Sequence, residues 1–225
     1  MNITIHRTGS LGNLYQVDNL IIDPGVPVKE VKEKLNYQLS NIAGCLVSHS
    51  HMDHAKGLKD LLQCGIDCYV SKETAGSLNL SGHRVHIIEP FKQFNIGSWK
   101  IKAFPLVHDV PNLGFLMACN GSKVLYCCDT NYVPPRFRGL THILLGVSYS
   151  NEILEDNITC GHVNPELGKR IFKNHLSLRT AIGFFQANDM SKVQEIYLIH
   201  LSDRNSNAEL FRNEIAGITG KAVYA

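Results

Sequence analysis

Apolar residues recur along the chain in short blocks that glycine, proline, asparagine and aspartate separate, a pattern typical of many short strands. The first three blocks are β-rich and have turn residues between them: Ile3–Ile5, Leu14–Val17 and Leu20–Ile22. They predict an antiparallel meander that ends at Asp23-Pro24-Gly25. Farther along, Asn120-Gly121 predicts the turn of a hairpin over 114–128.

Helices are predicted where apolar residues recur at a spacing of three or four. These segments are 27–35, 55–64, 165–173, 178–186 and 207–215. Further strands are predicted at 45–47, 68–70, 85–88, 94–107 (as a hairpin), 142–145, 195–199 and 221–224. Strands with a few helices, followed by the same again, indicate an α+β fold in which two β-rich halves face each other with helices outside.

Composition narrows the class of protein. The chain has 225 residues, 44% of them apolar and 19% charged, which is ordinary for a globular protein. No linker or repeat divides it, so we expect one domain over 1–225. A formal charge of +2 neither demands nor excludes a nucleic-acid partner. No run of 18 apolar residues and no signal-peptide pattern is present, so we expect no membrane partner.

Seven cysteines, most of them in apolar segments, match neither a disulfide framework nor a structural zinc finger. We expect them to be reduced residues of the core, in a cytoplasmic protein.

The stretch His49-Ser50-His51-Met52-Asp53-His54 concentrates ligand-type side chains between an apolar strand and a helix. Four such groups in one short loop cannot all reach a single tetrahedral ion without strain, but they can serve two adjacent ions. Imidazoles suit zinc, manganese or iron, and the carboxylate adds a hard ligand. Three further ligand-type residues each follow a β-run: His108, Asp129 and His200.

These motifs resemble the metallo-β-lactamase fold superfamily over nearly the whole chain. The resemblance implies a four-layer αββα sandwich in which two mixed sheets pack face to face. It also implies two divalent metal ions, zinc or manganese with iron as a further option, and an attacking water or hydroxide between them. One ion would be held by His49, His51 and His108, the other by Asp53, His54 and His200, and Asp129 would bridge them.

Within the superfamily, the finer match is to the phosphodiesterase branch, which includes ribonuclease Z, YycJ/WalJ-type proteins and phage anti-Pycsar enzymes. Four features resemble that branch: the loop Gly9–Asn13, the strand end Leu20–Gly25, the stretch His108–Phe115, and Asp129 at the bridging position.

Other residues receive roles with alternatives. The resemblance makes His175 a candidate general acid or phosphate contact; the alternative is a helix-capping or surface histidine. Asp53 has a catalytic role open to it besides ligation. Asp23 would orient a ligand histidine or only form a turn, and Ser10 and Asn13 would line the substrate cleft or only form a turn.

We therefore expect a dinuclear phosphodiesterase for a small nucleotide, most plausibly a cyclic one. The first alternative has the same site and makes the protein a single-strand DNA or RNA exonuclease or an endoribonuclease, with nucleic acid as the substrate. The second is a lactonase, thioesterase or β-lactamase-type hydrolase, and the third a non-catalytic binding protein. From the resemblance alone, we expect a homodimer.

Overall fold

The computed structural model describes residues 1–133 and 136–225. Within them the chain forms two mixed β-sheets and eight α-helices. It divides into two units, which are described separately below: the first comprises 1–105 and 110–115, and the second comprises 106–109 and 116–225.

The six-stranded sheet belongs to the first unit and has the order β1-β2-β3-β4-β5-β6. Its strands are β1 (Ile3–Arg7), β2 (Leu14–Val17), β3 (Leu20–Ile22), β4 (Gly44–Leu46), β5 (Cys68–Val70) and β6 (Val85–Ile87). The pairs β1–β2 and β2–β3 are antiparallel, which confirms the predicted meander. From β3 to β6 the pairing is parallel.

The seven-stranded sheet has the order β13-β12-β11-β10-β9-β8-β7. Its strands are β7 (Gln93–Ile96), β8 (Trp99–Leu106), β9 (Asn112–Cys119), β10 (Ser122–Cys127), β11 (His142–Gly146), β12 (Glu195–Ile199) and β13 (Ala222–Tyr224). The pair β7–β8 is antiparallel, as the predicted hairpin requires, and β10 to β13 are parallel. Asn120-Gly121 lies between β9 and β10, which are neighbours in the sheet.

The eight helices lie between the strands along the sequence. They are α1 (Val28–Lys34), α2 (Met52–Ala55), α3 (Leu58–Gln63), α4 (Lys72–Ser77), α5 (Asn151–Thr159), α6 (Pro165–Asn174), α7 (Leu178–Ala187) and α8 (Ala208–Thr219); a short 3-10 helix covers Leu39–Asn41. Among the described residues, none of these helices combines the length and the apolar character needed to span a bilayer.

Each unit has its own buried apolar residues. In the first unit, Val31 of α1 and Leu58 and Leu61 of α3 pack with residues of β2 to β5 in one cluster. In the second unit, every residue of β11 is buried, and α7 buries Ala181, Phe184 and Phe185. Of the seven cysteines, five are buried as predicted, whereas Cys64 and Cys160 are exposed; all seven are free thiols.

The prediction of one helix over 55–64 was wrong, because the segment contains two helices. The backbone N–H of Gly57 donates to Pro24 O at 2.8 Å, which brings the chain so close that a Cβ at Gly57 would lie 2.5 Å from Val26 O. The helix is therefore interrupted at Gly57, and α2 begins inside the histidine motif, at Met52.

Two helices, α4 and α5, were not predicted. The hydroxyl of Ser71 caps α4 by accepting from Thr74 N, although the helix itself carries little apolar sequence. In α5 only Leu154 is buried, so its periodic signal is weak.

Candidate metal centre

The histidine motif of the first unit is held on its inner side by Asp23, which is fully buried at the end of β3. Its carboxylate accepts hydrogen bonds from Ser48 N at 2.7 Å and from Ser48 Oγ at 2.6 Å. The other partner is His54, whose Nδ1 lies 2.7 Å from Asp23 Oδ2. Since the carboxylate only accepts, His54 carries its proton on Nδ1 and keeps a lone pair on Nε2, the form that binds metal.

These are the contacts that a residue orienting His54 would make, and they depend on an unusual backbone. Asp23 has a φ of 50°, in the left-handed region where residues other than glycine are uncommon. Such strain persists only where surrounding contacts determine it, and it concentrates at functional sites.

His49 and His51 present a pair of nitrogens to each other. His49 is fully buried, and its Nε2 lies 3.1 Å from Nδ1 of His51. At Zn–N bonds of about 2.05 Å, two nitrogens on a tetrahedral ion would lie about 3.3 Å apart. Nδ1 of His49 lies 2.9 Å from Ser48 Oγ, so the serine that contacts Asp23 also contacts this ring. The spacing fits two ligands of one ion.

Asp53 and Asn13 complete the loop of the first unit. The Asp53 side chain is 25% exposed, and its Oδ2 lies 3.4 Å from His54 Nε2. Asn13 is fully buried; its amide donates to Asp53 O at 2.9 Å, lies 3.1 Å from His54 Nε2, and accepts through Oδ1 from Gly9 N and from the Tyr15 hydroxyl. These contacts fit the turn role left open for Asn13, whereas Ser10 is exposed and available to a ligand.

Glycine is required where two loops of the first unit meet. A Cβ on Gly25 would lie 1.7 Å from Asp53 O, and Gly25 N donates to Asn13 O at 2.7 Å. The strand end Leu20–Gly25 and the histidine motif therefore approach each other through bare backbone.

In the second unit, the ligand-type residues come one from each strand end. His108 follows β8, Asp129 follows β10 and His200 follows β12, as predicted. Asp129 and His200 are 4% and 6% exposed and both have left-handed backbones, with φ of 47° and 55°. The donor atoms of Asp129, His200 and Cys128 lie within 4.8 Å of one another, and those of His108 and Asp129 do the same.

His108 has an acceptor beside each of its ring nitrogens. Its Nδ1 lies 3.2 Å from the carbonyl oxygen of Asn174, which can only accept. Burial lowers the pKa of His108, although the carboxylates of Asp129 and Asp109 oppose this. Asp109 lies 3.1 Å from Nε2 and is itself paired with Arg170 at 3.0 Å.

His175 lies beside Asp129 and not on a remote surface. It follows α6, its side chain is 24% exposed, and its Nδ1 is 3.2 Å from Asp129 Oδ1 and 3.4 Å from Ser148 Oγ. Its ring stacks on that of His200 with centroids 6.0 Å apart. The structure therefore places His175 among the ligand-type residues of the second unit, where a proton donor would be useful.

Three residues near these groups escaped the sequence reasoning: Ser48, Cys128 and Ser148. Ser48 precedes the motif and links Asp23 to His49. Cys128 looks like one more apolar residue in a buried run, and only its place directly before Asp129 distinguishes it. Ser148 gives no signal, because its hydroxyl meets His175 only through the fold.

The donor set suits divalent metal ions. In each unit it combines buried imidazoles, among them His54 with its lone pair on Nε2, with carboxylates close by. Imidazole and carboxylate together accept zinc, manganese or iron.

Known proteins resemble the chain over nearly its whole length. Exodeoxyribonuclease WalJ of Streptococcus pneumoniae is 27% identical over 230 residues, which cover 92% of this chain and 84% of WalJ. Exodeoxyribonuclease YycJ of Bacillus anthracis is 22% identical over 234 residues, covering 97% and 89%. The crystal structure of the metallo-β-lactamase fold protein YhfI from Bacillus subtilis has a TM-score of 0.73 at 15% identity, covering 98% and 94%.

The likeness to YhfI confirms the metallo-β-lactamase fold expected from the sequence, and the nuclease-named relatives confirm the resemblance to the phosphodiesterase and nuclease branch. The fold implies divalent metal ions, for which both units supply candidate ligands. Residues 18–200 match the family model described as "Beta-lactamase superfamily domain". The chain belongs to this superfamily and is a metal-dependent hydrolase of the metallo-β-lactamase fold.

Proposed function

We propose that this protein is a dinuclear metal-dependent phosphodiesterase that degrades single-stranded DNA. The observation that carries the proposal is the match to relatives named exodeoxyribonucleases over more than nine-tenths of the chain. The buried histidine and aspartate ligands support it, because a phosphodiester needs strong charge neutralisation to be hydrolysed.

Seven side chains are proposed to hold two ions. In this assignment His49, His51 and His108 would hold one, Asp53, His54 and His200 would hold the other, and Asp129 would be shared by both. Six of the seven are among the candidate metal ligands of the described residues, while Asp53 is assigned from its place in the motif. Cys128 has a donor atom near Asp129 and His200, which makes it an alternative to Asp53. Zinc and manganese are the preferred metals, with iron as a further option.

The chain's own residues supply orientation and a proton. Bound ions would activate the attacking water and neutralise the phosphate. Asp23 fixes the tautomer of His54, and the Asn174 carbonyl and the Asp109 carboxylate flank the ring of His108. Nδ1 of His175 lies 3.2 Å from Asp129 Oδ1 and 3.4 Å from Ser148 Oγ, and its Nε2 has no hydrogen-bond partner among the described residues. That nitrogen is proposed to donate a proton to the leaving oxygen.

A small cyclic nucleotide is the second candidate substrate, because the same ligands and the same proton donor would open a cyclic phosphodiester. The two candidate substrates share the reacting phosphodiester. They differ in the remainder of the molecule that the protein must bind, which is a longer strand for DNA and a single nucleotide for the cyclic substrate.

A cleavage panel tests the proposal. Manganese- and zinc-loaded protein is given 5′-phosphorylated single-stranded DNA and RNA and 3′,5′-cyclic mononucleotides, with Asp129→Ala as the blank. Degradation of DNA with slow opening of the cyclic substrates is expected. Fast opening of cyclic nucleotides with inert DNA would overturn the choice of substrate, and inert substrates throughout would overturn phosphodiester hydrolysis itself.

Two further expectations remain predictions: a homodimer and a cytoplasmic location. Light scattering on the purified protein measures the first, and fractionation of the source cells measures the second.

A further inference from the structure

A cavity of about 510 Å³ in the second unit has Asn157, His162 and Arg204 in its lining. Asn157 forms hydrogen bonds to both chain segments that line the cavity. Its side-chain amide donates to Arg204 O at 2.8 Å and to Asn205 Oδ1 at 3.0 Å, while its backbone carbonyl accepts from His162 N at 2.8 Å. These hydrogen bonds join the backbone segments that carry His162 and Arg204.

The lining offers cationic and donor groups that nothing else uses. Among the described residues, the side chains of Arg204 and His162 have no hydrogen bond or ion pair, and both residues are exposed. Two cations of α6 are already paired: Arg170 with Asp109, and Lys169 with Glu166. The nearest carboxylate in sequence, Asp203, is exposed to solvent. An uncommitted guanidinium is the group best suited to recognise phosphate.

The cavity is tied to the loop that carries a candidate metal ligand. Arg204 comes four residues after His200, so their Cα atoms lie at most about 14 Å apart. The loop is fastened on both sides of Arg204, because Ser202 N donates to Ser148 O and Ser150 N donates to Asn205 O. The Ser148 hydroxyl in turn contacts His175. A ligand in the cavity would thus lie on the same rigid segment as the proposed proton donor.

We propose that this cavity binds a backbone phosphate of a single-stranded oligonucleotide, at a nucleotide other than the one being cleaved. The inference rests on the proposed nuclease function and names the part of the substrate that the cavity recognises. The volume suits one nucleotide, since cavities for small molecules measure about 300–1,000 Å³.

The first test measures kcat/KM for single-stranded DNA of two, four, six and eight nucleotides. For the wild type, kcat/KM should rise once the strand is long enough to reach the cavity. Arg204→Gln should lose roughly tenfold on the longer strands and nothing on the dinucleotide. Lys192→Gln is the matched control, because it removes the same charge from an exposed residue at the other end of β12. An Arg204→Gln length profile equal to that of the wild type would overturn the inference.

The second test measures binding without cleavage, by fluorescence anisotropy of a labelled twelve-nucleotide DNA in the presence of a chelator. Arg204→Gln and His162→Gln should both weaken binding, and Arg204→Gln should reduce the slope of log K against log salt by about 0.7. Unchanged affinity and slope in both variants would overturn the cavity's role. This readout is independent of catalysis, so a wild type that cleaves no DNA would overturn the proposed function and leave the binding result to decide on the cavity.

Discussion

The two units present their ligand-type residues in opposite ways. In the first unit, three histidines and an aspartate lie within six residues. Asp23 forms hydrogen bonds to His54 of this motif and to Ser48, which directly precedes it. In the second unit, His108, Asp129 and His200 are separated by long stretches of chain, and each stands alone after a strand. The ligand-rich loop depends on its hydrogen bonds to Asp23, whereas ligands from separate strands depend on the register of the sheet.

The two arrangements share one backbone device. Asp23 in the first unit, and Asp129 and His200 in the second, all follow a strand and all have positive φ. A left-handed backbone conformation after a strand changes the direction of the side chain, which no longer alternates between the two faces of the sheet. The device costs roughly 1–3 kcal/mol at each residue, so surrounding contacts must stabilise it.

The largest effect is expected in the second unit. Asp129→Ala removes the carboxylate proposed to bridge the ions, so turnover should fall by about a thousandfold or more and the metal content per chain should drop. Steady-state kinetics and elemental analysis measure the two. Asp156→Ala, on the exposed surface of α5, is the control and should change neither. Full metal content in Asp129→Ala would remove Asp129 from the ligand set.

The next effect tests how tightly the loop of the first unit is built. Gly25→Ala places a methyl group 1.7 Å from Asp53 O, so the free energy of unfolding should fall by about 3 kcal/mol or more. Gly183→Ala in α7 meets nothing within 4 Å and should instead stabilise the protein by about 0.5–1 kcal/mol. Urea unfolding followed by circular dichroism compares the pair. Equal stability of the two variants would mean that the loops do not meet as described.

His175→Ala separates proton donation from metal binding within the second unit. Loss of a general acid should lower kcat by about a hundredfold, while the metal content stays at the wild-type level. His83→Ala, an exposed histidine of the first unit, is the control. If His175→Ala loses metal, then His175 is a ligand and its proposed role is wrong.

The smallest effect concerns orientation in the first unit. Asp23→Asn keeps the shape of the side chain but weakens its hold on His54, so metal affinity should fall by about tenfold to a hundredfold. Asp18→Asn provides a matched control, because Asp18 is also left-handed but lies exposed in the turn between β2 and β3. Competition with a chromogenic chelator measures both affinities. Equal affinities in the two variants would show that Asp23 serves only the turn.

Different sequence signals predict the ligand-type residues in the two units. The motif His49–His54 is visible because its ligands are adjacent, and the strand ends before His108, Asp129 and His200 are visible because buried strands are apolar. The meander and both hairpins follow from alternation and turn residues, which are local signals.

The remainder depends on contacts between residues far apart in sequence. The break at Gly57 exists because Pro24 and Val26 approach it, and no local pattern announces that approach. The contact of Ser148 with His175 joins residues 27 apart. The hydrogen bond from the Asn13 amide to Asp53 O likewise joins residues 40 apart.

The most direct test of the central claim is the metal content of the wild-type protein, loaded with manganese or zinc, dialysed, and measured by elemental analysis. Seven ligands shared between two ions predict two equivalents of metal per chain, together with DNA cleavage that a chelator abolishes. One equivalent or less in protein that still cleaves DNA would contradict the dinuclear assignment.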